Sequence, residues 1–565
     1  MSTARIPPFV VRSDPAAELT ELQRAQLRAA ASYHALVHPG AEILLLVSAG
    51  DPDQMPVFTG SATEQDRGEP VLAELRIRST ALGGSSSPAG DGAAAPIRRW
   101  IRLGHAEATP ATTRSRARQS LPRRVYGVLE RRTPLLVDAI RETVMTRRAR
   151  RSWQPLPRYP EGPHDAPLAE AFAAAIREAP LAEPVDGTEA PSTGSGAEAP
   201  PAILFGLHWL QPSGAERWAI ESIRIAKQQG YLPVIVTDHD SVHPWLTRPE
   251  VEGCVVIAMS EDGSGSGSPD RAPDTAILRA VLSNYRLRGA MLHHSTWLYR
   301  VLPLLAEWRP ALPVVDSLHT VEYLGGGYPG YAVRFDAQIE THHTISPELS
   351  RWLSEVQGVD PAKLVMAPLT ELTVDAEHEF RRREPGEPFT LSFVGRLSRD
   401  KRPDAFLALV RHLVRRGVPV RAILHGDGEL ADLVEGMLDR YRLRGVVERR
   451  LEDRSVADTL AESHLLVTTS MLEGLPLTTF EAVSDGVPVL SVDLGSQRTI
   501  VQDELLLPRP IRRFVRAAEA QVARLAASES AREAAWAEQR RRLTALMRER
   551  SAHRFTKELF EQWQQ

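Results

Sequence analysis

The stretch MLEGLPLTTFEAVSDGVPVLSVD, residues 471–493, constrains the fold of this chain more than any other. An apolar strand, HLLVTTS, leads into it, a turn falls at Glu473-Gly474, a helix is predicted from about Pro476 to Ser484, and a second strand, VPVLSVD, closes the unit. Pro476 suits a first helical turn, where its missing N–H would lack a partner anyway, and Gly474 lets backbone come close to a ligand. Such a unit belongs in a parallel sheet. Its helix N-terminus, with unpaired N–H groups and partial positive charge, points out of the carboxyl edge as an anion site. Glu473 and Glu481 fall one in the turn and one about two turns into the helix, roughly on the same side. Carboxylates do not hold a phosphate, so the pair is read as binding neutral hydroxyls.

Backbone N–H for phosphate with carboxylates for hydroxyls is what a sugar nucleotide asks of a protein. The run EGLPLTTFEA resembles the Glu-seven-residues-Glu signature of retaining glycosyltransferases of the GT-B fold, the group 1 or family 4-like enzymes. Two further stretches carry the resemblance. LSFVGRLSRDKRPD reads as a strand, a turn at Gly395 and a helix starting near Pro403, with Arg396 and Lys401 in the turn; a planar fork and a mobile point charge at a strand end suit a diphosphate. RAILHGDGEL reads as a strand running into the turn His425-Gly426-Asp427-Gly428, whose backbone is open to a ligand.

Length and composition set the frame. A chain of 565 residues exceeds one core, so two or three domains are expected. Hydrophobic residues at 42%, charged residues at 25% and a formal charge of -4 describe an ordinary globular protein without a general nucleic-acid signal. The single cysteine, Cys254, sits in an apolar run and excludes an internal disulfide or a thiolate zinc cluster. No apolar run of about 18 residues and no signal-peptide layout occur, so the cytoplasm is the expected compartment.

Residues 1–180 read as an N-terminal extension with a small β-containing module: strands at AEILLLVSAG, PVLAELRIRST and IRRWIRLG, then a helical pattern and an arginine-rich zone from Arg114 to Arg151. That zone is either a set of solvated helix faces or a patch for an anionic membrane surface. Residues 181–201, rich in Pro, Gly, Ser and Glu, read as a disordered linker. Strands and helices then alternate, as in βαβ units, over a domain at 202–380 and again at 389–549. Within the first of these, the loop QPSGAER places Ser213 and Gly214 at the carboxyl end of a strand, where open α/β sheets bind ligands. GAMLHH and LPVVDSLHT are strands ending in histidine. The pairs His293, His294 and His342, His343 are expected to be structural, and zinc is not expected because no HExxH spacing and no cysteine ligands occur.

The resemblance covers about residues 200–565 and implies α/β architecture, GT-B: two doubly wound Rossmann-like domains facing a cleft, the first for the acceptor, the second for the donor. It implies that segment 550–565 forms a helix packing back on the first domain. It further implies catalytic roles for His319, Arg396, Lys401 and Glu473, donor binding by Gly395, His425, Gly426, Gly474, Leu475 and Glu481, and a phosphate loop at Ser213 and Gly214. The implied reaction is retaining transfer of a sugar from a nucleotide-diphosphate sugar to a cell-surface glycan, polymer or lipid-linked acceptor, with no metal or other cofactor. A catalytically silent scaffold, a sugar phosphorylase and an epimerase are the competing readings. The sequence departs from the family after VDLG, where SQRTIVQDELLLP replaces a glutamate and glycine turn.

Overall fold

The computed structural model describes residues 7–104 apart from 14–18, 50–53, 61–70 and 83–94, parts of 133–144, residues 154–161 and 165–178, and residues 200–564 apart from 260–274, 321–326, 373–377, Glu452, Leu472, Leu475 and Pro476. Most of the arginine-rich zone, nearly all of the expected linker and Leu475 lie outside the described residues.

The N-terminal module is a four-stranded sheet covered by one helix. Strands β1 (Phe9–Ser13), β2 (Glu42–Ala49), β3 (Ala73–Ser79) and β4 (Ile97–Leu103) lie in the order β1-β3-β2-β4. Along β3 burial alternates, with Leu75 and Ile77 inside and Glu74, Arg76 and Arg78 outside, as one covered sheet face dictates. Helix α1 (Glu21–Val37) begins with a Thr20–Gln23 capping box and buries an alanine-rich face. The module is tied to the next domain by buried polar groups. The Gln26 amide donates to Val242 O at 2.6 Å and accepts from Gly104 N at 3.0 Å, while Gln23 donates to Gly104 O at 3.0 Å.

The second sheet is all parallel: β5 (Ala202–Leu207), β6 (Leu232–Thr237), β7 (Val255–Ala258), β8 (Leu287–His293), β9 (Val314–Leu318), β10 (Thr341–Thr344) and β11 (Leu364–Met366), in the order β11-β10-β9-β8-β5-β6-β7. The third is parallel too: β12 (Phe389–Val394), β13 (Val420–His425), β14 (Val447–Arg450), β15 (Leu465–Thr468), β16 (Val489–Val492) and β17 (Leu506–Leu507), in the order β14-β13-β12-β15-β16-β17. Parallel strands need covered faces, hence the continuous apolar runs such as AILFGL in β5, where every residue is buried. In each sheet the strand order reverses once, between β5 and β8 and between β12 and β15. Open α/β sheets bind ligands at such reversals.

Helix α2 (Gly214–Gln228) follows β5 and buries Trp218, Ser222 and Ala226 on one stripe. The last helix, α3 (Ala552–Gln562), lies against α2 with Phe555, Leu559 and Phe560 buried. Tyr231 donates to Phe560 O at 2.8 Å, and Trp563 covers Gly289 of β8 so closely that a Cβ there would stand 2.4 Å from its ring. Among the described residues no helix is long and apolar enough to cross a membrane.

Candidate functional site

The carboxyl ends at the two reversals face each other across a cavity of about 520 Å³. Its walls include Ser213, Gly214, His319, Gly395, Arg396, Lys401, Glu473, Gly474 and Glu481, nine of the residues singled out in sequence.

On the third-sheet side, β12 runs into Gly395 and Arg396, and the helix Pro403–Arg415 starts two residues after Lys401. This turn is zipped to the one after β13: Gly395 N donates to His425 O at 3.1 Å and Leu397 N to Asp427 O at 2.8 Å. Gly426 is required there, since a Cβ would fall 2.1 Å from Gly395 O. After β15, Glu473 is 8% exposed and accepts from Lys401 Nζ at 2.5 Å and Ser470 Oγ at 2.6 Å. Lys401 is held in place because Thr469 donates to its carbonyl at 2.9 Å. Arg396 is exposed, and among the described residues no carboxylate pairs with it.

Across the cleft, His319 follows β9, and hydrogen-bond accounting fixes its tautomer. His343 Nε2 lies 2.7 Å from Ala367 O, which only accepts, so that nitrogen carries the proton. Burial holds His343 down at about 4, so its Nδ1 is bare and accepts from Ser317 Oγ at 2.9 Å. Ser317 in turn accepts from Trp218 Nε1 at 3.1 Å and from His319 Nε2 at 3.0 Å. His319, driven well below its ordinary value by burial and then by His294 and His293, is therefore neutral with a bare Nδ1.

Domain closure brings the walls into contact. The backbone of Gly474 packs on that of His319, leaving no room for a side chain. Arg217 and Glu481 pair across the cleft at 3.6 Å. Burial pushes the Glu481 carboxyl up, with Arg217 pulling it back. The departing segment SQRTIVQ supplies further cross-domain contacts: Ser496 Oγ lies 2.5 Å from Ser346 Oγ, and Thr499 donates to Glu348. Ser496 N also caps Gly474 O at 3.1 Å.

Two expected donor residues stand apart. His425 and Gly426 do not line the cavity, and the His425 imidazole turns to Thr459 Oγ1 at 2.8 Å. His342 is buried between Asp316 and Asp336, at 2.9 and 3.0 Å. Against the pull of burial, these carboxylates hold it up at about 9. The sequence reading missed His208, Trp209, Glu216, Arg217 and Trp245, all on the cavity wall. His208 Nε2 lies 2.9 Å from Glu216 Oε1, a pairing of strand end with the first turn of α2 that the run HWLQPSGAE carries at a separation of eight residues. His294 is held in the left-handed region at φ 62 and stacks on Tyr328 at 4.4 Å between centroids. Among the described residues no three His, Cys, Asp or Glu side chains are grouped as a metal would need.

Two parallel, doubly wound domains with facing strand reversals define the GT-B class. Residues 374–538 match the family model described as "Glycosyl transferases group 1". The chain is 26% identical over 264 residues to a D-inositol 3-phosphate glycosyltransferase of Thermomonospora curvata, covering 40% of this chain and 61% of the relative. It is 26% identical over 132 residues to the phosphatidylinositol N-acetylglucosaminyltransferase gpi3 subunit of Schizosaccharomyces pombe, covering 23% and 28%. It thus spans about three fifths or less of these relatives' length. The structure of Anabaena Alr3699/HepE in complex with UDP superposes with a TM-score of 0.48 at 15% identity, over 64% of this chain and 99% of that one.

Proposed function

We propose that the chain is a retaining glycosyltransferase that moves a sugar from a nucleotide-diphosphate sugar to a glycan, polymer or lipid-linked acceptor. The observation that carries this reading is the meeting of Arg396, Lys401 and Glu473 from the third sheet with His319 from the second around one cavity. Breaking the bond from the anomeric carbon to the diphosphate develops negative charge on the leaving oxygen and positive charge on the sugar ring. Arg396, Lys401 and the N-terminus of the helix Leu477–Ser484 face the leaving group, where fixed positive charge lowers the barrier. Lys401 leaves its partner Glu473 for the diphosphate, and Glu473 turns to sugar hydroxyls. The bare Nδ1 of His319 accepts a hydrogen bond from a hydroxyl of the donor sugar without adding charge. Glu481 keeps Oε1 on Arg217 and accepts the ribose hydroxyls with Oε2. These two cations and a helix dipole take the place of a metal.

The test is a panel of nucleotide sugars read by thermal shift and by release of nucleoside diphosphate, with and without EDTA. A ligand at a hundredfold its Kd adds about 2.7 kcal/mol of stability. Lys401→Ala is expected to lower turnover by roughly two to three orders of magnitude. Turnover that survives this change sinks the assignment of the leaving-group site, and turnover abolished by EDTA sinks the metal-independent mechanism.

A further inference from the structure

The wall contributed by the second sheet carries four buried polar atoms without a hydrogen-bond partner: His208 Nδ1, Trp209 Nε1, Glu216 Oε2 and His294 Nε2. All four side chains line the cavity, and His208, Glu216 and His294 are more than nine-tenths buried. Polar atoms stripped of water and left unpaired are costly, so a cluster of them on one cavity wall marks a surface finished by its ligand. The indole N–H donates, the carboxylate oxygen accepts, and the imidazoles do either. A group that both donates and accepts satisfies such a mixture, and that group is a hydroxyl.

Charge on the same wall narrows the class. Among the described residues lining the cavity from this domain, Arg217 is the sole Lys or Arg, and it is engaged with Glu481. Burial, then His208 and His293, holds His294 well below its ordinary value, so its ring is neutral. A phosphate brought here would meet the Glu216 carboxylate and find no free cation. The rings of Trp209 and Trp245 border the cavity beside these atoms and offer flat apolar surface. A sugar ring has an apolar face of C–H groups and a rim of hydroxyls, and fits both.

We propose that this wall is the acceptor subsite and that it takes an uncharged carbohydrate ring, discriminating against phosphorylated acceptors. The proposal rests on the glycosyltransferase reading above. It sets this chain apart from relatives named for a phosphorylated acceptor.

The experiment uses the full chain with UDP-glucose, UDP-N-acetylglucosamine and GDP-mannose as donors. Methyl α-D-glucopyranoside, methyl α-D-mannopyranoside and maltose are compared with glucose 6-phosphate and mannose 6-phosphate, and nucleoside diphosphate release is measured. Uncharged sugars are expected to accelerate release at least about tenfold more than phosphorylated ones, the discrimination expected when a buried polar site is left badly paired. Trp209→Phe, which keeps an aromatic ring and removes the N–H, and Glu216→Gln are each expected to raise the acceptor KM about tenfold with a smaller change in kcat. Equal or better use of phosphorylated sugars overturns the proposal. Failure of every acceptor while UDP or GDP still raises Tm also overturns it and leaves the donor site standing. Absence of any nucleotide effect on Tm counts against the glycosyltransferase reading itself and takes this proposal with it.

Discussion

Replacing Gly474 with alanine tests the closed cleft directly. An alanine Cβ at this position would stand 1.7 Å from the carbonyl oxygen of His319 and 2.8 Å from its carbonyl carbon. Both atoms are backbone, so no side-chain rotation relieves the overlap. Gly474 is not one of the left-handed glycines, and alanine is tolerated by its local conformation. The whole penalty therefore falls between the domains. Reaching an ordinary contact requires the two strand ends to part by roughly 2 Å. That motion breaks the Ser346–Ser496 contact of 2.5 Å and loosens the Arg217–Glu481 pair. Chemistry that depends on proximity loses about a hundredfold for a misplacement of about 1 Å, so kcat should fall by at least that factor. Each domain keeps its own core, and Tm should change by no more than about 3 °C. Nucleoside diphosphate release measures the first effect, scanning calorimetry the second, and small-angle scattering the parting of the domains. Wild-type turnover with an unchanged radius of gyration would refute the apposition of Gly474 and His319 as a requirement for activity.

Ser317→Ala removes the hydroxyl that orients His319 and leaves the Trp218 N–H unpaired; it should cost about 1–3 kcal/mol of stability and shift the His319 tautomer, visible in imidazole nitrogen chemical shifts. Unmoved shifts would contradict the tautomer assignment. Glu473→Gln should lower turnover while Glu481→Gln mainly weakens nucleotide binding, because a ribose contact is nearly equal in ground and transition states; equal effects of both on nucleotide Kd would remove the division of roles. His342, with its folded pKa raised to about 9 over an ordinary 6.5, contributes stability that is fully present below pH 6.5 and is lost as pH rises through about 9. The Tm difference between wild type and His342→Asn should therefore shrink across that window, and a difference constant from pH 6 to pH 9.5 would show that the buried histidine carries no charge.

The elements nearest the chemistry were the most legible in the sequence. LSFVGRLSRDKRP and the strand-turn-helix around Glu473 encode their structure within about a dozen residues, through an apolar run, a glycine and a proline at a helix start. The structure shows β12, the helix Pro403–Arg415, β15 and the helix Leu477–Ser484 in those places. Strands β2, β3 and β4 of the N-terminal module were legible for the same local reason, because β2 carries the apolar run ILLLV and β3 alternates, whereas β1 was not foreseen. Its attachment was not. Gln26 reads as one more polar residue on an alanine-rich helix, and only the fold shows that its amide joins Gly104 to Val242, more than two hundred residues away.

The same divide runs through the site. His319 and His425 look alike in sequence, each at the carboxyl end of a buried strand, yet one lines the cavity and the other does not. His425 is the last residue of β13, so it obeys the strand's alternation, and its ring is taken up by Thr459 of the helix Val456–Ala461. His319 stands one residue beyond β9, free of that alternation, and its orientation comes from Ser317, His343 and Trp218 on three separate elements. Arg217 shows the reverse case. It lies in the first turn of α2, within the run QPSGAER that the sequence marked as functional, but its partner Glu481 is on the other domain, and their meeting depends on closure. A spacing rule carries a side chain to the mouth of a strand. The direction it then faces is decided by neighbours distant in the chain, which is why charged residues in tight turns were foreseeable and the cavity wall of His208, Glu216 and Trp209 was not.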